Sequence, residues 1–238
     1  MPAPQPAPRA AARGAERLSP TDALGPRTRR YRPSIHLSHA LPYLGCIPAI
    51  LALVSLGRVL LGDGGGIGTF LIVAVLHLVV TGFVCAVQWS AYLDLHEHGL
   101  VVGRTLPGRR RPMRFTEIHP ATLRVFSGID TVRSGVYAPI RPNWHFTGGA
   151  DLAVTFLGPR RSRRLPPEPR PPAPGNGIVL FGARDAVQIA EQIRKGLERS
   201  GCPPQWARRP EQFGIEDLTG SATDAQARIP GMSAGWSV

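Results

Sequence analysis

The hydrophobic pattern of the chain is dominated by two long apolar runs, residues 41–61 and 67–92, separated by a short glycine-rich segment. The first run contains one charged residue, Arg58, near its end, and the second contains no Asp, Glu, Lys or Arg. Because a helix rises about 1.5 Å per residue, each run is long enough as a helix to cross a hydrocarbon core of about 30 Å. The connecting residues 62–66 suffice only for a tight turn. The pattern therefore predicts an α-helical transmembrane hairpin over residues 40–93.

Charge predicts how this hairpin is oriented. The formal net charge is +12, and the stretch before the first run, residues 1–39, contains seven arginines and two acidic residues. Since positive flanks stay cytoplasmic, the sequence predicts a multi-pass protein of the cell (inner or plasma) membrane with both termini cytoplasmic. Tyr43, Trp89 and Tyr92 are then predicted to be membrane-interface aromatic residues. Residues 1–39 form a predicted disordered basic arm, and residues 202–238 a predicted disordered tail.

Within the apolar runs, small residues and one histidine are candidates for specific packing. Gly45 with Ala49 and Gly82 with Ala86 form small-xxx-small pairs, which favour close helix packing within the hairpin or between copies of the chain. His77 is the one ionisable side chain deep in a run, where a hydrogen-bonded neutral histidine is favoured over a proton or metal relay. A transporter or channel subunit, with hairpins assembled around His77, is the alternative function.

After the apolar runs, residues 94–201 change to short segments with a period of two, which is typical of strands. Such segments occur at residues 113–118, 152–157 and 178–181. Residues 185–199 instead place apolar side chains at helical spacing, with Asp185 as a start signal and Gly201 as an end signal. The pattern predicts a domain of six or seven strands followed by one amphipathic helix.

Several of these segments resemble the bacterial pleckstrin-homology-like (PH-like) domains of small membrane proteins. The resemblance rests on the strand–turn–strand segment 95–102, the basic turn 109–114 with the strand that follows, and the C-terminal helix. It implies a mainly-β fold, a bent antiparallel sheet or partly open barrel with the helix covering one end, and it implies binding rather than catalysis. Residues 127–149 and 160–177 depart from a compact member of the family.

The resemblance also implies one candidate site for an anionic lipid or a protein partner, at the first basic turn. Its residues are Arg109, Arg110, Arg111 and Arg114. Fold analogy cannot identify the ligand, and the plainer interpretation is a solvated basic turn. A second arginine group, within residues 160–164, lies in a proline-rich loop that we expect to be mobile and extended.

Catalytic and metal signatures are weak throughout the sequence. His96 and His98 share one face of a predicted strand and His119 is the nearest third nitrogen, but no cysteine or acidic residue completes a zinc spacing. A solvated strand face is therefore favoured, and no metal or cofactor is predicted. The sequence contains no phosphate loop, dinucleotide fingerprint or hydrolase elbow.

These observations together predict a membrane-anchored, non-enzymatic binding or scaffold protein. Its predicted partners are the lipid bilayer and either a protein or an anionic lipid headgroup, with homo-oligomerisation left open. Nucleic acid is not predicted as a partner, because the aromatic side chains of the domain suit its core better than a stacking surface. An enzyme that uses His96, His98 and His119 is a third and weaker hypothesis.

Overall fold

The computed structural model describes residues 22–34, 50, 52–54, 56–57, 60, 66–106, 108–129, 145–147, 151–160, 162–173, 177–208 and 214–232. Two β-sheets and one amphipathic helix enclose the main core of this part of the chain. Tyr43, Gly45 and Ala49, which the sequence singles out as interface or packing residues, lie outside the described residues.

The first sheet, which we call sheet A, has four strands. They are β1 (Arg27–Tyr31), β2 (Ala91–His96), β3 (Gly99–Arg104) and β4 (Arg109–Arg114). The strands lie in the order β1-β2-β3-β4, and each neighbouring pair is antiparallel. Strand β1 belongs to the stretch predicted as a disordered arm. It pairs with β2 because Arg30 forms a bidentate ion pair with Asp94, a long-range partner that local composition does not reveal.

The second sheet, sheet B, has five strands. They are β5 (Arg124–Ser127), β6 (His145–Thr147), β7 (Leu152–Leu157), β8 (Ile178–Gly182) and β9 (Ile215–Asp217). Their order is β6-β8-β7-β5-β9, in which β6–β8 and β5–β9 are parallel and the other pairs antiparallel. Strands β7 and β8 occupy the positions that the period-two pattern predicts, because both are buried apolar segments.

Four helices have defined bounds in the described part of the chain. They are α1 (Gly66–Trp89), α2 (Ala186–Arg199), α3 (Pro204–Ala207) and α4 (Ala222–Arg228). Helix α2 follows the predicted amphipathic pattern, and Gly201 adopts a φ of 90° just after its end. Short 3₁₀ helices occur at Asp22–Leu24, Phe115–Glu117 and Pro120–Thr122.

The main core lies between the two sheets and α2. Its members include the following buried side chains: Val102, Met113, Phe115, Val154, Phe181, Ile189 and Ile193. Burying a large apolar side chain contributes about 1.5–3 kcal/mol, so this cluster is a principal source of stability. Gly196 allows α2 to approach closely, since a Cβ there would lie 2.4 Å from the ring of Phe115.

The C-terminal segment adds a second cluster to sheet B. Leu218, Ala225 and Ile229 are buried together with Phe126 and Leu180. The hydroxyl of Ser221 accepts a hydrogen bond from the backbone N–H of Asp224 and thereby caps α4. Part of the predicted disordered tail is therefore ordered, because three spaced apolar side chains are enough to pack on a sheet that is already formed.

The predicted transmembrane hairpin is wrong. Among the residues that the structure describes, no helix combines the length and the apolarity that a bilayer crossing requires. The apolar run is also shared between elements: α1 ends at Trp89, and Ala91, Tyr92 and Leu93 are buried in β2. Run length counts apolar residues alike whether they belong to a helix or to a buried strand, so it did not separate α1 from β2.

The same finding overturns the predicted multi-pass membrane localisation with two cytoplasmic termini. It also removes the hairpin on which the alternative transporter or channel function was based. Of the first predicted span, the described residues are 50, 52–54, 56–57 and 60, all of them helical. Tyr92, predicted at a membrane interface, is 6% exposed and belongs to sheet A, whereas Trp89 is 55% exposed.

Candidate binding surface

The outer face of sheet A, opposite the main core, is organised around Tyr92. Its ring lies against β3 at Gly103, where a Cβ would come within 2.5 Å of the ring. The guanidinium of Arg30 stacks on the other side, with its carbon atom 4.6 Å from the ring centroid. Arg30 donates to both carboxylate oxygens of Asp94 at 2.7 Å, and these bonds raise the pKa of Arg30 above its ordinary value. An ion pair and an aromatic ring thus join β1 to β2 on this face.

Arg109 and Arg110 begin β4 and are exposed. Arg110 is the register partner of Gly103, and Arg109 is the register partner of Arg104. The turn before them is tied to the end of α1, because the hydroxyl of Ser90 donates to the carbonyl of Leu106 at 2.9 Å. Within the described residues no carboxylate lies within ion-pairing distance of Arg109 or Arg110. Both side chains are therefore available to an external anion.

Arg111, the next residue in β4, is 3% exposed and serves a different purpose. Its guanidinium donates to the carbonyl oxygens of Ile178 at 3.3 Å and Gly177 at 2.8 Å, and also to that of Pro159. These carbonyls lie on both sides of the loop that connects β7 to β8. Arg111 therefore closes the base of this loop and does not share the exposed position of Arg109 and Arg110.

Arg114, at the end of β4, is half-buried under the same loop. It donates to the carbonyl oxygens of Pro166 at 2.6 Å and Pro167 at 3.1 Å. Of the four arginines in the predicted basic turn, two thus face solvent and two bind the protein's own backbone. The structure does not bring the four guanidinium groups together at one anion site.

The middle of the loop is held by a buried carboxylate. Glu117 is fully buried, and it accepts hydrogen bonds from the Arg170 side chain at 3.0 and 3.1 Å and from the backbone N–H groups of Arg114 and Arg170 at 2.9 Å. Burial by itself raises the pKa of Glu117. The hydrogen bonds and the charge of Arg170 outweigh burial, so that the pKa lies below its ordinary value.

These contacts bring the second arginine group to sheet A. Leu165 packs on the buried cluster of Leu24, Tyr92 and Val101, on the outer face. Arg163 and Arg164, which directly precede Leu165, are exposed and have no ion-pair partner among the described residues. The sequence predicts this loop to be extended and mobile. Its fixed position depends on Glu117 and Arg170, which are 53 residues apart and were not recognised as partners.

We call the four exposed residues Arg109, Arg110, Arg163 and Arg164 the basic surface. It combines one end of β4 with a loop that is distant in sequence, and both border the Tyr92 cluster. Guanidinium groups that are exposed and unpaired suit carboxylate or phosphate ligands. The basic surface can therefore bind an anionic partner.

The remaining candidate residues are dispersed. His96 is buried, with Nδ1 2.8 Å from the carbonyl oxygen of Gly25, whereas His98 is exposed and His119 half-buried. The described residues include no group of three or more His, Cys, Asp and Glu side chains placed to hold a metal ion. On α1, a Cβ added at Gly82 would meet no atom of another element within 4 Å, and Ala86 is half-buried.

Comparison with family models, with characterised proteins and with solved structures gives no match for this chain. The PH-like resemblance therefore stays a prediction.

Proposed function

We propose that the protein is a non-enzymatic binding module that recognises an acidic protein segment through the basic surface. The observation that carries this proposal is the set of contacts of the buried Arg111 and Glu117 and the half-buried Arg114 and Arg170. These residues fix a loop that holds Arg163 and Arg164 on the same face of sheet A as Arg110. Three like charges on one face, with the exposed Arg109 next to Arg110 at the start of β4, raise the local concentration of anionic partners.

A protein segment suits the surface better than a single phosphorylated headgroup. A headgroup site needs several cationic groups that converge on one point. Arg111 and Arg114, which would make the turn of β4 such a site, are turned towards backbone carbonyls. The exposed arginines belong to a strand end and to a separate loop, and this spread favours an extended ligand with several carboxylates.

The proposal is tested with the full chain and a fluorescein-labelled 12-residue peptide of alternating Glu and Thr, followed by fluorescence anisotropy. Replacing Arg109 and Arg110 by Ala should weaken binding about fivefold, because each exposed charge contributes roughly 0.2–1 kcal/mol. The matched control replaces Lys195 and Arg199, exposed residues of α2, by Ala. This control removes the same charge and should change the affinity by less than about twofold.

Two outcomes would contradict the proposal. Equal losses in the two double variants would show that only the net charge attracts the peptide. The second is binding to vesicles that contain phosphatidylserine, weakened by the change at Arg109 and Arg110, while the peptide does not bind. That result would assign the basic surface to a lipid headgroup.

A further inference from the structure

We infer that β1 is the edge on which the acidic segment docks, by adding a fifth strand to sheet A. The inference rests on the proposed function and specifies how the partner binds. Strand β1 ends the order β1-β2-β3-β4, and in the described part of the chain no strand pairs with its outer edge. An edge strand leaves half of its backbone N–H and C=O groups directed away from the sheet, and an extended peptide can pair with them.

The edge is held rigidly on its inner side. Arg30 is joined to Asp94 and to the ring of Tyr92, and Tyr31 is buried in the main core. Thr28 donates its hydroxyl proton to the carbonyl oxygen of Leu95 at 3.1 Å. The register is irregular between Arg27 and Arg29 and regular from Arg29 to Tyr31. Because β1 is already ordered, a partner strand would not have to supply the free energy for its folding.

Charge selects the kind of strand that can pair here. Arg27, Arg29 and Arg32 are exposed along this edge, and Arg27 lies 3.9 Å from Asp94 as a weak ion pair. Like charges directly opposite one another destabilise a strand pair, so the arginines disfavour pairing with a second copy of β1. The same residues favour a strand that carries carboxylates. The edge therefore discriminates between partners by charge.

The edge and the basic surface can be reached by one ligand. Neighbouring strands are about 4.8 Å apart, so a strand added outside β1 is separated from β4 by roughly 19 Å across the sheet. An extended chain covers this distance with about six residues. Arg30 and Arg110 belong to the same face of sheet A, since Asp94 and Gly103, their register partners, lie on the face of Tyr92. A segment that pairs with β1 can thus continue towards the basic surface.

Backbone methylation of the peptide tests the inference without altering the protein. The Glu–Thr peptide is compared with the same peptide N-methylated at two adjacent central residues, which removes a donor from each edge and leaves the charge unchanged. We expect the methylated peptide to bind to the full chain at least about tenfold more weakly. Hydrogen exchange of the amides in Arg27–Tyr31 should slow when the unmodified peptide binds.

A charge reversal gives a second readout. Arg29→Glu together with Arg32→Glu should weaken binding of the unmodified peptide more than Lys195→Glu with Arg199→Glu, which makes the same change at exposed positions of α2. Thermal unfolding of both variants shows whether the fold persists. If the first pair unfolds the protein, the methylated peptide still decides the question.

The results separate this inference from the proposed function. Equal binding of the two peptides, combined with the expected loss for Arg109→Ala with Arg110→Ala, overturns strand addition and leaves the proposed function standing. Weaker binding of the methylated peptide supports strand addition. If Arg109→Ala with Arg110→Ala at the same time leaves the affinity unchanged, the role of the basic surface is overturned. Absence of binding by both peptides overturns both.

Discussion

The arginines of β4 and of the β7–β8 loop form two groups that a sequence alone does not distinguish. Arg111, Arg114 and Arg170 are partly or fully buried and bind carbonyl oxygens or a carboxylate of the protein. Arg109 and Arg110 precede Arg111 directly and face solvent. Alternate positions of a strand point to opposite sides, so the adjacent Arg110 and Arg111 reach different surroundings. Arg109 shares the side of Arg111 but is exposed at the start of β4. The first group holds the loop in place, and the second is available to a partner.

The two groups should also differ in their effect on stability. A buried charge that loses its partner retains a large desolvation cost, because the low-dielectric interior does not replace water. Removing an exposed charge changes the free energy of unfolding little, since water and salt screen its interactions. Substitutions at the two groups therefore test the distinction quantitatively.

The largest effect is expected at the buried carboxylate. Glu117→Ala should lower the free energy of unfolding by about 3 kcal/mol or more, because the half-buried Arg170 would lose its carboxylate. Urea denaturation of the full chain measures this change. The control is Glu168→Ala, an exposed carboxylate of the same loop, which should stay within about 0.5 kcal/mol of the parent. Similar small effects for both variants would contradict the assigned role of Glu117.

A smaller loss is expected at the base of the loop. Arg111→Met retains much of the side-chain volume but removes the donors to Ile178 and Gly177, and it should cost about 2–3 kcal/mol. Arg110→Met, one residue earlier in the same strand, should change the free energy of unfolding by less than about 0.5 kcal/mol. The two variants differ only in the side of the strand they occupy. Equal costs would remove the distinction between the buried and the exposed group.

The pH dependence of the free energy of unfolding should show the smallest of these differences. It should also identify the Glu117 carboxylate as the titrating group. The pKa of Glu117 is lowered in the folded protein from its ordinary value of 4.5, so the unfolded chain binds a proton more readily. Its contribution to stability is therefore complete above that ordinary value and is lost as the pH falls through the lowered pKa. Glu117→Gln should show a weaker loss of stability over this acidic range. Parallel pH profiles of the parent and the Gln variant would argue against this assignment.

Several elements are predictable from local pattern. Strands β7 and β8 and helix α2 lie where alternating or helically spaced apolar residues predict them. The pattern is less accurate at residues 113–118, where alternation predicts one strand. There β4 ends at Arg114 and a 3₁₀ turn follows. The turn forms because the Glu117 carboxylate accepts the backbone N–H of Arg114, an interaction that alternation does not encode.

Elements with few apolar residues were missed for a related reason. Strand β9 pairs with β5 through its backbone and also through an ion pair between Arg124 and Glu216 at 3.2 Å. Glu216 forms a second ion pair with Arg228 at 3.0 Å. Strand β1 likewise depends on Asp94. Polar strands of this kind have no periodic apolar signal, and their partners lie 64 or more residues away.

The apolar runs show the opposite limit. Their length and composition predict two membrane spans, yet in the described residues no helix meets the requirements for crossing a bilayer, and the last apolar residues belong to β2. A long apolar run indicates that water is unfavourable for these side chains. It does not indicate which surface covers them.

The sequence by itself determined the elements whose apolar residues repeat with a helical or strand period, because such periods are local consequences of backbone geometry. It also offered the arginine clusters as candidate binding sites, which stays a prediction. The tertiary structure alone decided which arginines are structural and which are exposed. That decision depends on the carbonyls, the ring and the carboxylate that the fold brings to each guanidinium from distant parts of the chain.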